Sequence, residues 1–293
     1  MIDKVFNTEI LLLKLSKKTL CSLVLTAAAI PLATAKAQDL TVMTSGGFAA
    51  PVEQLTPKFE ASSGLHVVLV HGASMGTTTT AIPLRLARNE PADVVIMARS
   101  ELDSLARKGL VVKGSQVDLV RSRIGMAVKA GAPVPDISTV AAFKKTLLAA
   151  SSIAYSDSAS GVYISSEMYK ILGIEDAVAP KSRRIPGDPV GGVVAKGEAE
   201  IGFQQLSELK PIAGITIVGP IPEDVQKVTI FAAGVAASSR HIDNARALIG
   251  FLASTAACPV IIEDALEPTA CAPDKKSERS NSGRDGAQAI PPR

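Results

Sequence analysis

Short apolar runs rich in β-branched residues alternate with stretches of helical period along most of this chain, and that alternation narrows its fold more than any other feature. Strands are expected over residues 40–42, 66–70, 92–97, 123–128, 152–155, 200–203, 215–218 and 228–236. Helices are expected over 51–62, 77–89, 101–108, 137–150, 162–172, 189–196 and 243–257, several of them stopped by glycine. Strand–helix–strand order at this spacing is the pattern of an α/β protein, whose parallel strands are joined by helical crossovers. From Glu267 onward the chain is rich in Ser, Lys, Arg, Gly and Pro without periodicity, and it is expected to be disordered.

The N-terminus argues for export. Lys14, Lys17 and Lys18 precede an apolar run interrupted by Pro31, and Ala35-Lys36-Ala37 is an A-x-A cleavage pattern. The run is shorter than a membrane span needs, so residues 1–37 read as a signal peptide and the compartment as the periplasm. Removing five Lys and two acids with it from 31 basic and 28 acidic residues leaves 26 of each. The mature chain is neutral and has no basic field for nucleic acid or an acidic membrane surface. No Cys/His spacing fits a metal, and no cofactor is expected. Export permits a disulfide between Cys258 and Cys271 without requiring one.

Chemistry concentrates where strands run into small, hydroxyl-bearing loops that open helices. These are Thr44-Ser45-Gly46-Gly47, Gly72-Ala73-Ser74-Met75-Gly76-Thr77, Ser156-Asp157-Ser158-Ala159-Ser160-Gly161 and Asp188-Pro189-Val190-Gly191. Free N–H groups at a helix start, glycines that let backbone approach, and added hydroxyl donors together make an anion site. Any one loop alone is ordinary helix capping; several in one exported chain point to a shared anionic ligand. Gly72-Ala73-Ser74-Met75-Gly76 also spells G-x-S-x-G, an esterase elbow. It follows the second mature strand, however, and His241, which with Asp188 or Asp224 would complete a triad, looks like part of an exposed helix start. A phosphate loop is excluded because no Lys follows Gly76.

In this order and spacing, those loops together with Pro91-Ala92-Asp93-Val94-Val95-Ile96 and Gly197-Glu198-Ala199-Glu200-Ile201-Gly202-Phe203 resemble the molybdate-binding branch of the type II periplasmic solute-binding proteins. The resemblance covers roughly residues 40–268. It implies an α/β, two-lobed periplasmic binding protein type II fold, each lobe a mixed sheet flanked by helices, with a two-strand hinge. Lobe one would be 38–122 plus 231–268, lobe two 123–230, and 269–293 a disordered tail. The ligand would lie between the lobes, held by Thr44, Ser45, Gly46, Ser74, Met75, Ser158, Ala159, Ser160 and Val190. The protein would be a monomer that captures a small anion and presents it to an inner-membrane ABC permease.

One departure and one further resemblance qualify the ligand. Where the molybdate binders usually carry Tyr, this chain has Gln205 beside Gln204; amides both donate and accept, which suits a carboxylate or hydroxy acid. Arg123 at the hinge could clamp a carboxylate in bidentate fashion, while Glu208 and Asp157 read more readily as caps or solvated charges. Tyr155-Ser156-Asp157-Ser158-Ala159-Ser160-Gly161-Val162-Tyr163, Ile201-Gly202-Phe203-Gln204-Gln205-Leu206-Ser207-Glu208-Leu209 and Ile221-Pro222-Glu223-Asp224-Val225-Gln226 resemble a subgroup that includes the periplasmic aconitate isomerase. That resemblance implies an allylic proton shift between cis- and trans-aconitate on the same scaffold, with Tyr163, His71 and Asp157 as the candidate proton carriers. Simple capture is the leading expectation and isomerisation the alternative.

Overall fold

The computed structural model describes residues 39–271. The expected signal peptide and the expected tail beyond residue 271 lie outside the described residues. The chain builds two mixed sheets flanked by helices, as the alternation predicts. The strands are β1 (Asp39–Ser45), β2 (His66–Gly72), β3 (Val94–Ala98), β4 (Val117–Ser122), β5 (Ile124–Lys129), β6 (Ile153–Ser156), β7 (Ser182–Ile185), β8 (Ile201–Gln205), β9 (Ile215–Pro220), β10 (Thr229–Val235) and β11 (Glu267–Pro268). One sheet runs β11-β4-β10-β3-β1-β2 and the other β7-β6-β8-β5-β9.

Both faces of each sheet are covered, which is why the strands read as continuous apolar runs. In the six-stranded sheet, Leu40, Val42, Val94 and Ile96 pack on one face with Phe48 and Val52 of the first helix (Ala49–Ser63). Met43, Val95 and Met97 pack on the other with Ile82 and Leu102. In the five-stranded sheet, Ile153, Ile201 and Phe203 pack with Phe143 and Ile164, and Ala154 packs behind them with Val190 and Val194. The period-2 alternation of side chains sends neighbouring residues to separate cores.

The sheets are joined twice. β4 and β5 are separated by the single residue Arg123, and residues 221–228 carry the chain from β9 to β10. Gln205 ties both crossings: its Oε1 accepts from Ser122 Oγ at 2.8 Å and its Nε2 donates to Thr229 Oγ1 at 3.1 Å. Thr229 and Ile230, expected in lobe two, pair with Ser122 and Arg121 in the six-stranded sheet.

Three expectations need correction. The helix expected over 77–89 is only Ile82–Ala87. Thr77–Thr80 is a β-branched run with weak helical preference, and Pro83 fits only in a first turn, so the helix cannot start earlier. The chain after Pro268 does not become irregular at once. Glu267–Pro268 pairs with β4, Thr269 Oγ1 donates to the carbonyls of Asp118 and Leu119, and Cys271 is disulfide-bonded to Cys258. The helix expected over 243–257 ends at Leu252, and a second one occupies Cys258–Glu263.

Candidate functional site

The loops after β1, β2, β6 and β7 meet across a cleft of about 330 Å³ between the two sheets. Gly46, His71, Gly72, Ala73 and Thr80 line it from the six-stranded side. Ser156, Asp157, Ser158, Gly187, Asp188, Pro189, Gln204 and Glu208 line it from the five-stranded side. The cleft therefore lies beyond the carboxyl ends of parallel strands, where open α/β sheets leave their loops free to hold ligands.

The Ser156–Ser160 segment presents itself to the cleft because its helix starts early. The helix begins at Ala159 and runs on through a π turn, Ile164–Met168, to Ile171. Gly161 makes the tight entry feasible: a Cβ there would sit 1.6 Å from the Ser156 carbonyl oxygen. Ser156 Oγ and Ser160 Oγ lie 3.1 Å apart and satisfy one another. That leaves Asp157 and Ser158 on the wall. Asp157 is 6% exposed, and its Oδ2 has no hydrogen-bond partner.

On the opposite end of the same lobe, Gln204 organises the second carboxyl. Its Oε1 accepts from the Val190 N–H at 2.9 Å, which turns its amide nitrogen toward Glu208. Glu208 keeps part of its surface open to the cleft, yet its carboxyl is enclosed: a Cβ on Gly46 would lie 2.1 Å from its Oε1. Burial pushes this carboxyl up to about 7, against the lowering effect of hydrogen bonds from Gln204 and the Gln205 backbone, and the Asp157 charge adds to the rise. Ser207 Oγ donates to the Gly47 carbonyl at 3.0 Å and fixes the short helix Leu206–Leu209 against the first loop.

Of the residues singled out in the sequence, the structure brings Gly46, His71, Asp157, Ser158 and Gln204 together on this wall. His71 is half-exposed, with its Nε2 3.2 Å from Glu53. Ser45 lies just behind Gly46, buried, with its hydroxyl unpartnered. Thr44 is buried and its hydroxyl donates to the Ser45 carbonyl.

Other candidates point elsewhere. Ser74 is fully buried, and its Oγ accepts from the Ala98 N–H at 3.0 Å; it braces the loop, which also removes the esterase reading. Met75, Ala159 and Tyr163 line a separate crevice of about 430 Å³. The Tyr163 hydroxyl donates to the Val225 carbonyl at 2.8 Å, Lys227 sits over its ring, and burial raises its pKa. Tyr163 is thus no proton carrier for the cleft. The Val190 N–H is taken by Gln204 and Gln205 by the hinge, so neither is free for a ligand. Arg123 is held by Glu223 and Glu267 on the outside of the crossing and does not line the cleft.

Sequence reasoning set Glu208 aside as a cap or solvated charge. The signal that could have found it is its position three residues after Gln205, where the chain leaves a strand that ends in the cleft. Among the described residues no group of acids, His or Cys is arranged to hold a metal.

Comparison with known proteins bears on this site. The model of a family described as bacterial extracellular solute-binding protein matches residues 40–264. An aconitate isomerase from Pseudomonas sp is 49% identical over 234 residues, covering 80% of this chain and 89% of that protein. The periplasmic molybdate-binding protein of Azotobacter vinelandii superposes with a TM-score of 0.62 at 21% identity, covering 78% of this chain and 98% of that one. The substrate-binding domain of a molybdenum ABC transporter from Clostridium difficile gives 0.58 at 18%, covering 79% and 99%. The last two likenesses are of fold.

Proposed function

The chain belongs to the bacterial extracellular solute-binding proteins, and from that premise we propose that it is an exported isomerase of aconitate, using the binding cleft of this fold to move a double bond. The observation that carries the reading is the Glu208 carboxyl, set on the cleft wall and enclosed by Gly46, where burial pushes its pKa up to about 7. A capture protein has no need of a base there, whereas an allylic shift does. Ionised Glu208 takes a proton from the methylene carbon of the substrate. The electron pair spreads through the double bond toward the carboxylate beyond it. The same carboxyl group, now protonated, returns the proton to the distal carbon, so cis- and trans-aconitate interconvert with no net gain or loss of atoms. Backbone amides of the Gly46 and Gly72-Ala73 turns and the Ser158 hydroxyl hold the substrate carboxylates.

The test is direct. Purified protein incubated with trans-aconitate yields cis-aconitate by chromatography, and at saturating substrate the rate rises with pH through about 7 as Glu208 ionises. Glu208→Gln lowers kcat by roughly 10²–10⁴-fold while retaining substrate binding. No isomer from the parent protein, or full turnover by the variant, defeats the reading.

A second reading rests on the buried, unpartnered Ser45 hydroxyl behind Gly46. It is a donor that a simple capture site would aim at an anion, and the protein would then deliver its ligand to an ABC permease. Tight carboxylate binding without turnover would select that reading.

A further inference from the structure

Charge on the wall of this cleft is of one sign. Asp157, Asp188 and Glu208 line it and, among the described residues, no Lys or Arg does. His71 is turned to Glu53. Such a wall is a poor seat for an anion unless the anion brings something to donate.

Asp157 is the group that makes this demand specific. It is more than nine-tenths buried and its Oδ2 is without a partner. A buried carboxylate oxygen left unpaired is costly, and the surrounding chain is shaped to keep it in place. Gly76 has a backbone φ of 107°, a conformation that favours glycine, and a Cβ there would come within 3.0 Å of that Oδ2. The Gly76 turn of the six-stranded side packs against this oxygen without giving it a donor, and Asp157 itself lines the cleft. A fully ionised tetrahedral oxyanion has no proton to offer it and adds like-charge repulsion. A hydroxyl or a carboxylic acid O–H has the proton.

We propose that Asp157 is the specificity-determining acceptor of the cleft: its Oδ2 takes a hydrogen bond from an O–H carried by the ligand, so the site selects partly protonated organic acids and rejects fully ionised oxyanions such as molybdate, tungstate and sulfate. This rests on the reading above only in placing a small organic acid in the cleft. It concerns binding, and it stands whether or not the bound acid is turned over.

Calorimetric titration of the purified protein with trans-aconitate, citrate, propane-1,2,3-tricarboxylate, molybdate and sulfate tests it. At least one carboxylate is expected to bind tenfold or more tightly than either oxyanion. Preference for citrate over propane-1,2,3-tricarboxylate identifies a hydroxyl as the donor, and equal binding of the two identifies a carboxyl. Asp157→Asn turns the acceptor into an amide that can donate, and the ratio of carboxylate to molybdate affinity is expected to fall tenfold or more. An oxyanion that binds the parent within tenfold of its best carboxylate overturns the proposal, and so does failure of every carboxylate to bind. A folded Asp157→Asn whose ratio moves by less than tenfold overturns it too; if that variant does not fold, the parent titrations decide alone. Absence of turnover with this selectivity intact overturns the isomerase reading and leaves Asp157 in its role.

Discussion

Two loops of small, hydroxyl-bearing residues, 72–77 and 156–161, end parallel strands in opposite sheets, and only the second gives polar side chains to the cleft. In the second, the helix begins at Ala159 and the chain turns at once, so Asp157 and Ser158 face the opposite lobe. In the first, the helix waits until Ile82, and the slack is taken up by folding Ser74 inward onto the Ala98 N–H. That loop contributes Gly72 and Ala73 to the wall but no hydroxyl. What separates an anion loop from a brace is therefore the distance between the strand end and the first helical turn, and residue types alone do not report it.

The largest effect expected from this difference is at Gly161. An added methyl overlaps the Ser156 carbonyl oxygen at 1.6 Å, and backbone cannot step aside as a side chain can. Gly161→Ala should cost about 3 kcal/mol and abolish measurable ligand binding, because the turn that aims Asp157 and Ser158 must open. Gly192, inside the Val190–Ala195 helix, has nothing within 4 Å of the same methyl. Gly192→Ala should raise stability by about 0.4–1 kcal/mol. Urea unfolding of the two variants reads both signs, and equal behaviour would show that the tight turn is not what orders the second loop.

A smaller effect isolates the first loop. Ser74→Ala leaves the buried Ala98 N–H without its acceptor, which costs about 1–3 kcal/mol of stability. Ligand affinity should stay within threefold of the parent, measured by the same titrations. A tenfold loss of affinity with unchanged stability would return Ser74 to the ligand and erase the contrast between the loops.

The sequence made the sheet architecture legible because burial on both faces writes long apolar runs, as in Val94–Ala98 and Ile124–Lys129. It hid the strands where burial is partial. β7 reads Ser-Arg-Arg-Ile at a sheet edge, with both arginines exposed, and β4 carries Asp118 and Arg121. On β7 such charges are how an edge strand avoids pairing with other chains, whereas β4 lies between β11 and β10; on both strands they erase the alternation a reader looks for. The glycine and hydroxyl loops located the cleft, but not which of their atoms would be free. Glu208 looked like any acid in a first helical turn; only the approach of Gly46, far away in sequence, encloses its carboxyl. Ser74, Val190 and Gln205 looked like ligand donors because their internal partners, Ala98, Gln204 and the Ser122–Thr229 pair, are set by tertiary packing.

Arg123 should show the smallest effect, and it asks whether the crossing between sheets influences either loop. Its guanidinium bridges Glu223 and Glu267, which lie 100 and 144 residues away in sequence. Those carboxylates are 70% and 49% exposed, so water and salt screen the network and its contribution should be under about 1 kcal/mol. The sign with pH is fixed by Glu267. The hydrogen bond from Arg123 is the main cause of its lowered pKa. The folded state therefore holds this carboxylate ionised more easily than the unfolded state does. The stabilisation is present above the ordinary carboxylate range and is lost as pH falls through the lowered value. Arg123→Ala should flatten that acid dependence in thermal melts and leave the carboxylate-to-molybdate ratio unchanged. A shift in the ratio would mean that the outside of the hinge sets the geometry of the cleft, and the two loops could then no longer be compared as independent pieces.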